Sequence, residues 1–185
     1  MGRPWQRVGG VGFGPWKAGA GCGSTDGCFV RGTRIVTPRG FRRIEDLAAG
    51  DEVFSLDRAR RAPVVRRVAR VLHARATDVL HIAAGELVLA GVTAGHRFHD
   101  AARGAWVDAG ALREGTPLLA WLGSADVREL PVTAHRPAPS AGKVDVFNLT
   151  IDGPEQSYFA EGLLVHDRSD AAPGPDPSDE KMEEN

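Results

Sequence analysis

The chain has 185 residues and a nearly balanced charge, with 23 Lys and Arg against 24 Asp and Glu. That balance gives no electrostatic reason to expect nucleic acid or a membrane surface as a partner. The sequence has no stretch of about 18 consecutive apolar residues, so no membrane span is predicted. The apolar share of 42% suffices for a core, but only 6% of residues are aromatic, so we expect a core of Val, Leu, Ile and Ala.

Composition divides the chain into three zones. Residues 1–27 are rich in glycine and cannot bury enough surface to fold alone, which predicts a flexible leader. Residues 28–167 have the composition of one globular domain. Residues 168–185 contain three prolines and carry two basic against six acidic side chains, which predicts a disordered acidic tail.

The elements of the middle zone are short and separated by turn signals. Arg34–Thr37 is predicted to be a strand, and Ile44–Leu47 a single helical turn that ends before Gly50. No segment has a sustained 3.6-residue apolar period, so an all-β domain is predicted. Further strands are predicted at Asp51–Leu56, Val64–Leu72, Val79–Ile82, Leu87–Leu89, Trp106–Val107, Leu118–Leu122, Val127–Val132, Val144–Ile151, Tyr158–Phe159 and Leu163–Val165.

Cys28 stands where the leader meets the first strand and is the first candidate for chemistry. Its neighbour Gly27 has no Cβ, so a thiol can approach the carbonyl of the Gly27–Cys28 bond easily. Only a few per cent of a free thiol is ionised at neutral pH, so attack needs a nearby proton acceptor. Cys22 is the only other cysteine, and a small-loop disulfide or a pair of inert thiols is the alternative interpretation.

Two histidines can supply proton transfer. His96 follows an apolar run in Thr93-Ala94-Gly95-His96 and can act as general acid towards a leaving amide nitrogen, while the Thr93 hydroxyl can orient the scissile peptide. Taken alone, this pattern more often indicates a turn threonine and a surface histidine. His166 closes the last strand, where a partly buried structural histidine is the alternative.

Four blocks of sequence, in order, resemble the characteristic segments of Hint (hedgehog/intein) domains. The resemblance extends over residues 28–167 without an endonuclease insertion. The blocks are Cys28–Gly40 (CFVRGTRIVTPRG) with Ile44–Val53 (IEDLAAGDEV), Val92–Phe98 (VTAGHRF), Trp106–Gly115 (WVDAGALREG) and Val146–Asp167.

The resemblance implies a flattened all-β horseshoe of short strands with pseudo-twofold symmetry, in which the two ends of the domain lie close together. It also implies that Cys28, Thr93, His96 and His166 surround one cleft. Cys28 would perform an N-to-S acyl shift on the Gly27–Cys28 bond, with the chain's own flanking polypeptide as substrate. No cofactor, metal, nucleic acid or membrane is implied.

Four positions depart from the pattern of splicing inteins. Asp167 replaces the final asparagine, and its carboxylate would have to form an anhydride rather than a succinimide. Arg168 offers no nucleophile to accept an acyl group. Gln156 stands where the family often has histidine, and Asn148 where many inteins have aspartate. We therefore expect thioester formation and N-terminal cleavage without splicing, and slow release at Asp167–Arg168, with His166 polarising that carbonyl.

Two alternatives remain open at this point. The domain could keep the Hint fold as a structural or interaction module that no longer processes itself, or Cys28 and a histidine could act as a peptidase on other chains. Sterol transfer is not expected, because no apolar extension follows residue 167. Residues 1–20 lack the apolar run of a signal peptide, so the sequence predicts either a cytoplasmic protein or export within a larger one.

Overall fold

The computed structural model describes residues 27–123, 126–139 and 142–168, and these form an almost purely β structure. The all-β fold predicted from the sequence is confirmed. Of the predicted leader only Gly27, and of the predicted tail only Arg168, belong to the described residues; the rest of both zones lies outside them. Within the described ranges, no helix has the length and apolarity needed to cross a bilayer.

Fourteen strands and two single-turn 3₁₀ helices are found in the described part of the chain. The helical turns are Ile44–Asp46, within the predicted turn, and Ala109–Ala111. The strands are β1 Phe29–Val30, β2 Arg34–Thr37, β3 Gly40–Arg43, β4 Glu52–Asp57, β5 Ala62–Ala76, β6 Leu80–Ala84, β7 Leu87–Val92, β8 Arg97–Asp100, β9 Ala105–Asp108, β10 Pro117–Ala120, β11 Arg128–Pro137, β12 Val144–Ile151, β13 Ser157–Ala160 and β14 Leu163–His166.

The strands pair antiparallel in one continuous order, with the first and last strands each lying between two others. The order is β3-β2-β13-β14-β8-β10-β11-β6-β7-β1-β12-β5-β4, with β9 on β8. Strand β1 is short and lies between the end of β7 and the middle of β12, pairing Phe29 with Val92 and Phe147. Strand β14 lies between β13 and β8. Both ends of the domain are thereby held by paired strands.

The core is largely aliphatic, as composition predicts, but its largest members are aromatic. Phe29, Phe98, Tyr158 and Phe159 are fully buried, and three of them (Phe29, Phe98 and Tyr158) belong to the main cluster of buried side chains. Three of these rings come from β1, β8 and β13, and those of Phe29 and Tyr158 lie 6.3 Å apart, centroid to centroid. A buried aromatic side chain removes a large apolar area from water, so these rings hold the ends of the domain firmly.

Three strands lie where the sequence predicted none, and one of them, β1, has only two residues, too few for an apolar alternation. In β8, the buried His99 and Asp100 interrupt any apolar alternation. In β3, an edge strand, most residues are exposed, including Phe41. Strand prediction from alternation fails at both places because it relies on apolar side chains facing a core.

Candidate functional site

The peptide bond between Gly27 and Cys28 is held by Thr93, which directly follows β7. The backbone N–H of Cys28 donates to Thr93 Oγ1 at 2.7 Å, and the backbone N–H of Thr93 donates to the Cys28 carbonyl at 2.9 Å. Cys28 itself is completely buried. The predicted pairing of threonine with the scissile bond is therefore present, and the threonine oxygen lies at the amide nitrogen rather than at the carbonyl oxygen.

The carbonyl oxygen of Gly27 accepts a hydrogen bond from the side chain of Asn148, with Nδ2 and O 2.5 Å apart. The orientation of this amide follows from its other contacts. The backbone N–H of Leu149 can only donate, and it lies 2.7 Å from Oδ1, so the opposite atom must be the nitrogen. The Tyr158 hydroxyl donates to the same Oδ1 at 2.7 Å.

His96 is buried in the turn between β7 and β8, against the same peptide. Its ring lies 4.1 Å from that of Phe29, centroid to centroid, and neither ring nitrogen has a hydrogen-bond partner among the described residues. Burial, together with the charges of His166 and Arg97, lowers the pKa of His96 to about 3, against the opposing effect of nearby carbonyl oxygens. The imidazole is therefore neutral at physiological pH.

Gly27 is pressed directly against His96. A Cβ at position 27 would lie 2.4 Å from Nδ1 of His96 and 2.2 Å from its Cα. Both distances are far inside van der Waals contact, and the second involves backbone that cannot rotate away. The residue before Cys28 therefore has to be glycine in this arrangement, a constraint that the sequence alone did not reveal.

The sulfur of Cys28 is in a disulfide bond. The chain contains one other cysteine, Cys22, which lies outside the described residues. This corrects the expectation of a free thiol and favours the disulfide alternative considered from the sequence. The sulfur of Cys28 can act as a nucleophile only after the disulfide has been reduced.

The C-terminal junction is built around His166 and Asp167. His166 Nδ1 lies 2.7 Å from the Asp167 carbonyl oxygen, to which it can only donate, and burial lowers the pKa of His166 against the opposing effect of that carbonyl. The buried carboxylate of Asp167 accepts from the Ile151 N–H at 2.8 Å. The Arg168 N–H donates to the Leu149 carbonyl at 3.0 Å.

The two junctions meet on β12 and beside β8. Asn148 contacts the carbonyl of Gly27, while the next residue, Leu149, contacts Arg168. On the other side, β14 pairs with β8 through Val165 and Phe98, and two further steps in this register place Asp167 opposite His96. All five site residues predicted from the sequence therefore belong to one cluster: Cys28, Thr93, His96, His166 and Asp167.

Asn148 and Tyr158 are the site residues that the sequence interpretation missed. Asn148 was noted only as a departure from aspartate, and Tyr158 only as part of a strand. The available signal was a polar residue flanked by Phe147 and Leu149 within a strand, because an amide buried in a core needs several hydrogen-bond partners.

Comparison with known proteins agrees with this geometry. A family model described as "Hint domain" matches residues 27–91, beginning at the glycine of the N-terminal junction. No curated protein matches the chain by sequence.

Three solved structures resemble this one closely. A bacterial intein-like domain from Clostridium thermocellum is 29% identical, with 76% of this chain and 98% of that chain covered and a TM-score of 0.67. The DnaB intein of Synechocystis is 20% identical (76% and 98% covered, TM-score 0.64), and the DnaX mini intein of Spirulina platensis is 19% identical (76% and 99% covered, TM-score 0.64). The described residues therefore have the fold of Hint and intein-like domains, and residues 27–91 match the Hint domain family directly.

Proposed function

We propose that the domain cleaves its own chain at the Gly27–Cys28 bond through an N-to-S acyl shift. The observation that carries the proposal is the environment of that one peptide. Its N–H donates to Thr93 Oγ1, and its glycine packs against the ring of His96. A peptide that only packed the core would not need its Cys28 N–H at the Thr93 hydroxyl and its Gly27 α-carbon against His96.

The reaction begins from the reduced thiol. His96, neutral at physiological pH, takes the proton from Cys28 Sγ as the sulfur adds to the Gly27 carbonyl carbon. The pKa of about 3 makes His96 a weak base, so this transfer is uphill and is compensated by the second one. When the carbon–nitrogen bond breaks, the protonated His96 returns the proton to the amide nitrogen of Cys28. Its pKa of about 3 makes the imidazolium a strong acid, so this second transfer is favourable. His96 therefore acts first as a general base and then as the general acid that the sequence predicts.

The products are a thioester between Gly27 and Cys28 Sγ and a free amine on Cys28. Water then cleaves the thioester, which releases residues 1–27 and regenerates the thiol. Thr93 supports the shift because its oxygen fixes the orientation of the departing N–H. We further propose that the reaction stops short of splicing, because Arg168 lacks an attacking group and the Asp167 carboxylate is a poor cyclising nucleophile.

The test uses the full chain, reduced with a phosphine and treated with hydroxylamine, a nucleophile that intercepts thioesters. Intact-mass spectrometry should show fragments 1–27 and 28–185 for the wild type and no cleavage for Cys28→Ala. Thr93→Val keeps the shape of the side chain but removes the hydroxyl, and should slow cleavage by roughly 10²-fold. An unchanged wild-type mass under these conditions would favour a Hint fold that has lost its activity. Cleavage of an added peptide, without self-cleavage, would favour the peptidase alternative.

A further inference from the structure

We propose that Asn148 is the group that stabilises the oxyanion of the acyl shift, and that Tyr158 is a positioning residue that aims its amide at the Gly27 carbonyl. This inference rests on the proposed function, since it concerns the same reaction. Asn148 Nδ2 lies 2.5 Å from the oxygen that becomes negatively charged when the sulfur adds. A donor at that oxygen strengthens as charge develops on it, which is the basis of transition-state stabilisation.

The amide is held in one orientation by two donors on its other side. The Leu149 N–H and the Tyr158 hydroxyl both donate to Oδ1, each at 2.7 Å. If the amide were flipped, the Leu149 N–H would face an NH₂ group and both polar groups would lose a partner in a buried place. Donation to Oδ1 also polarises the amide and makes Nδ2 a better donor.

Tyr158 is suited to this positioning because it remains a donor over the whole working pH range. Its side chain is fully buried, and burial together with the negative charge of Asp167 raises the pKa of the phenol well above its usual value. Its ring is fixed against Phe29, the residue that follows the nucleophile, at 6.3 Å between ring centroids. The hydroxyl therefore approaches Asn148 along one direction.

An amide at this position differs in kind from a carboxylate. Nδ2 of asparagine donates regardless of pH, whereas an ionised aspartate can only accept and would repel an oxyanion at the same distance. A protonated carboxyl could donate, so aspartate at position 148 would make the acyl shift depend on its own protonation. Asparagine and aspartate at position 148 are nearly equal in size but should give different pH dependences of the acyl shift. A purely structural role of Asn148 would not produce this difference.

The experiment measures hydroxylamine cleavage of the reduced full chain between pH 5 and pH 9, with each rate divided by the wild-type rate at the same pH. Asn148→Ala should be slower by roughly 10²–10³-fold at every pH, the loss typical of one oxyanion donor. Asn148→Asp should be as slow at high pH and recover as the pH falls. Tyr158→Phe should be slower by roughly tenfold with a flat ratio, because the amide keeps its contact with Leu149 but loses one of its two orienting bonds.

Thr37→Ala serves as the matched control, because it removes another buried side-chain hydrogen bond, from Thr37 Oγ1 to the Gly40 carbonyl at 2.6 Å, in the turn between β2 and β3. Its rate should equal that of the wild type. Thermal unfolding of each variant, measured in a Cys28→Ala background, identifies losses caused by unfolding. If Asn148→Ala cleaves at the wild-type rate, or Asn148→Asp keeps a flat ratio, the inference is wrong while the proposed function stands. If the wild type forms no thioester, both are wrong.

Discussion

Nδ1 of His166 donates to the carbonyl oxygen of Asp167 at 2.7 Å, so the last carbonyl of the domain is already polarised. The same residue's carboxylate is buried and bound to the N–H of Ile151. A polarised carbonyl thus stands beside a side chain of nearly the size and shape of asparagine. What the C-terminal junction lacks is a nitrogen nucleophile rather than a suitable geometry.

Asp167→Asn should therefore raise the rate of cleavage between residues 167 and 168. The asparagine oxygen can keep the hydrogen bond to Ile151, which leaves the amide nitrogen to attack its own carbonyl and form a succinimide. We expect release of residues 168–185 to be at least about tenfold faster, a difference of about 1.4 kcal/mol in barrier. The measurement is intact mass over time in a Cys28→Ala background, which removes N-terminal cleavage.

His166 provides the control for this prediction. Adding His166→Ala to Asp167→Asn removes the donor to the carbonyl and should return the rate to that of the single Cys28→Ala chain. A double variant that releases its tail as fast as Asp167→Asn would show that the contact at 2.7 Å contributes nothing to the reaction.

Gly27→Ala should slow the N-terminal reaction without unfolding the domain. The added methyl group meets the Cα and ring of His96, so the scissile peptide must move by roughly 1 Å, and a shift of that size costs about 10²-fold in rate. Gly104→Ala is the comparison: a Cβ there meets nothing within 4 Å, although the backbone has a φ of +62°. Hydroxylamine cleavage should be unchanged in Gly104→Ala, and equal rates for both variants would contradict the prediction.

The fold was more accessible from the sequence than the chemistry of the site. Short apolar runs between turns predict an all-β domain, and the resemblance to Hint domains brought Cys28, Thr93 and His96 together. The role of Asn148 could not be derived in this way. The direction in which its amide points is determined by Leu149 and by Tyr158, ten residues away, and a hydrogen-bond direction leaves no trace in apolar periodicity.

The protonation of His96 was also beyond the sequence. A Thr-x-x-His pattern suggests an imidazole that titrates near neutral pH. Complete burial against Phe29, beside another histidine, prevents this. Such a shift depends on which side chains surround the ring in three dimensions, and Phe29 and His166 are 67 and 70 residues away from it along the chain.

His96 should make the domain less stable as the pH falls. Its pKa is about 3 in the folded chain and 6.5 in the unfolded one, so between these values only the unfolded state binds the proton. The contribution of His96 to the free energy of unfolding is therefore fully present above pH 6.5 and declines with falling pH by up to about 1.4 kcal/mol per pH unit.

Urea unfolding of Cys28→Ala and Cys28→Ala/His96→Leu at several pH values checks this prediction. Carboxylates and the other histidines contribute equally to both proteins, so the difference between the two curves isolates His96. We expect the difference to change across pH 6.5 to 4 and to be constant above pH 7.5. Parallel curves for the His96 pair would contradict the assigned burial.

Reduction should be the step that permits self-cleavage. Cys28 Sγ is in a disulfide, and a disulfide sulfur is not a thiolate, the form that attacks a carbonyl. We expect the oxidised chain to resist hydroxylamine at Gly27. A phosphine, which becomes oxidised as the disulfide takes up two electrons and two protons, should start the reaction without adding a thiol of its own.

Cys22→Ser separates this requirement from other effects of the reductant. The sequence contains no third cysteine, so this variant leaves Cys28 without an intramolecular partner and should cleave at the same rate with and without phosphine. Wild-type chain isolated without reductant should match that rate only after reduction. If oxidised wild type, shown by its mass and its resistance to alkylation to contain no free thiol, cleaves as fast as Cys22→Ser, then sulfur attack is not the step that breaks the bond, and the acyl shift itself has to be abandoned.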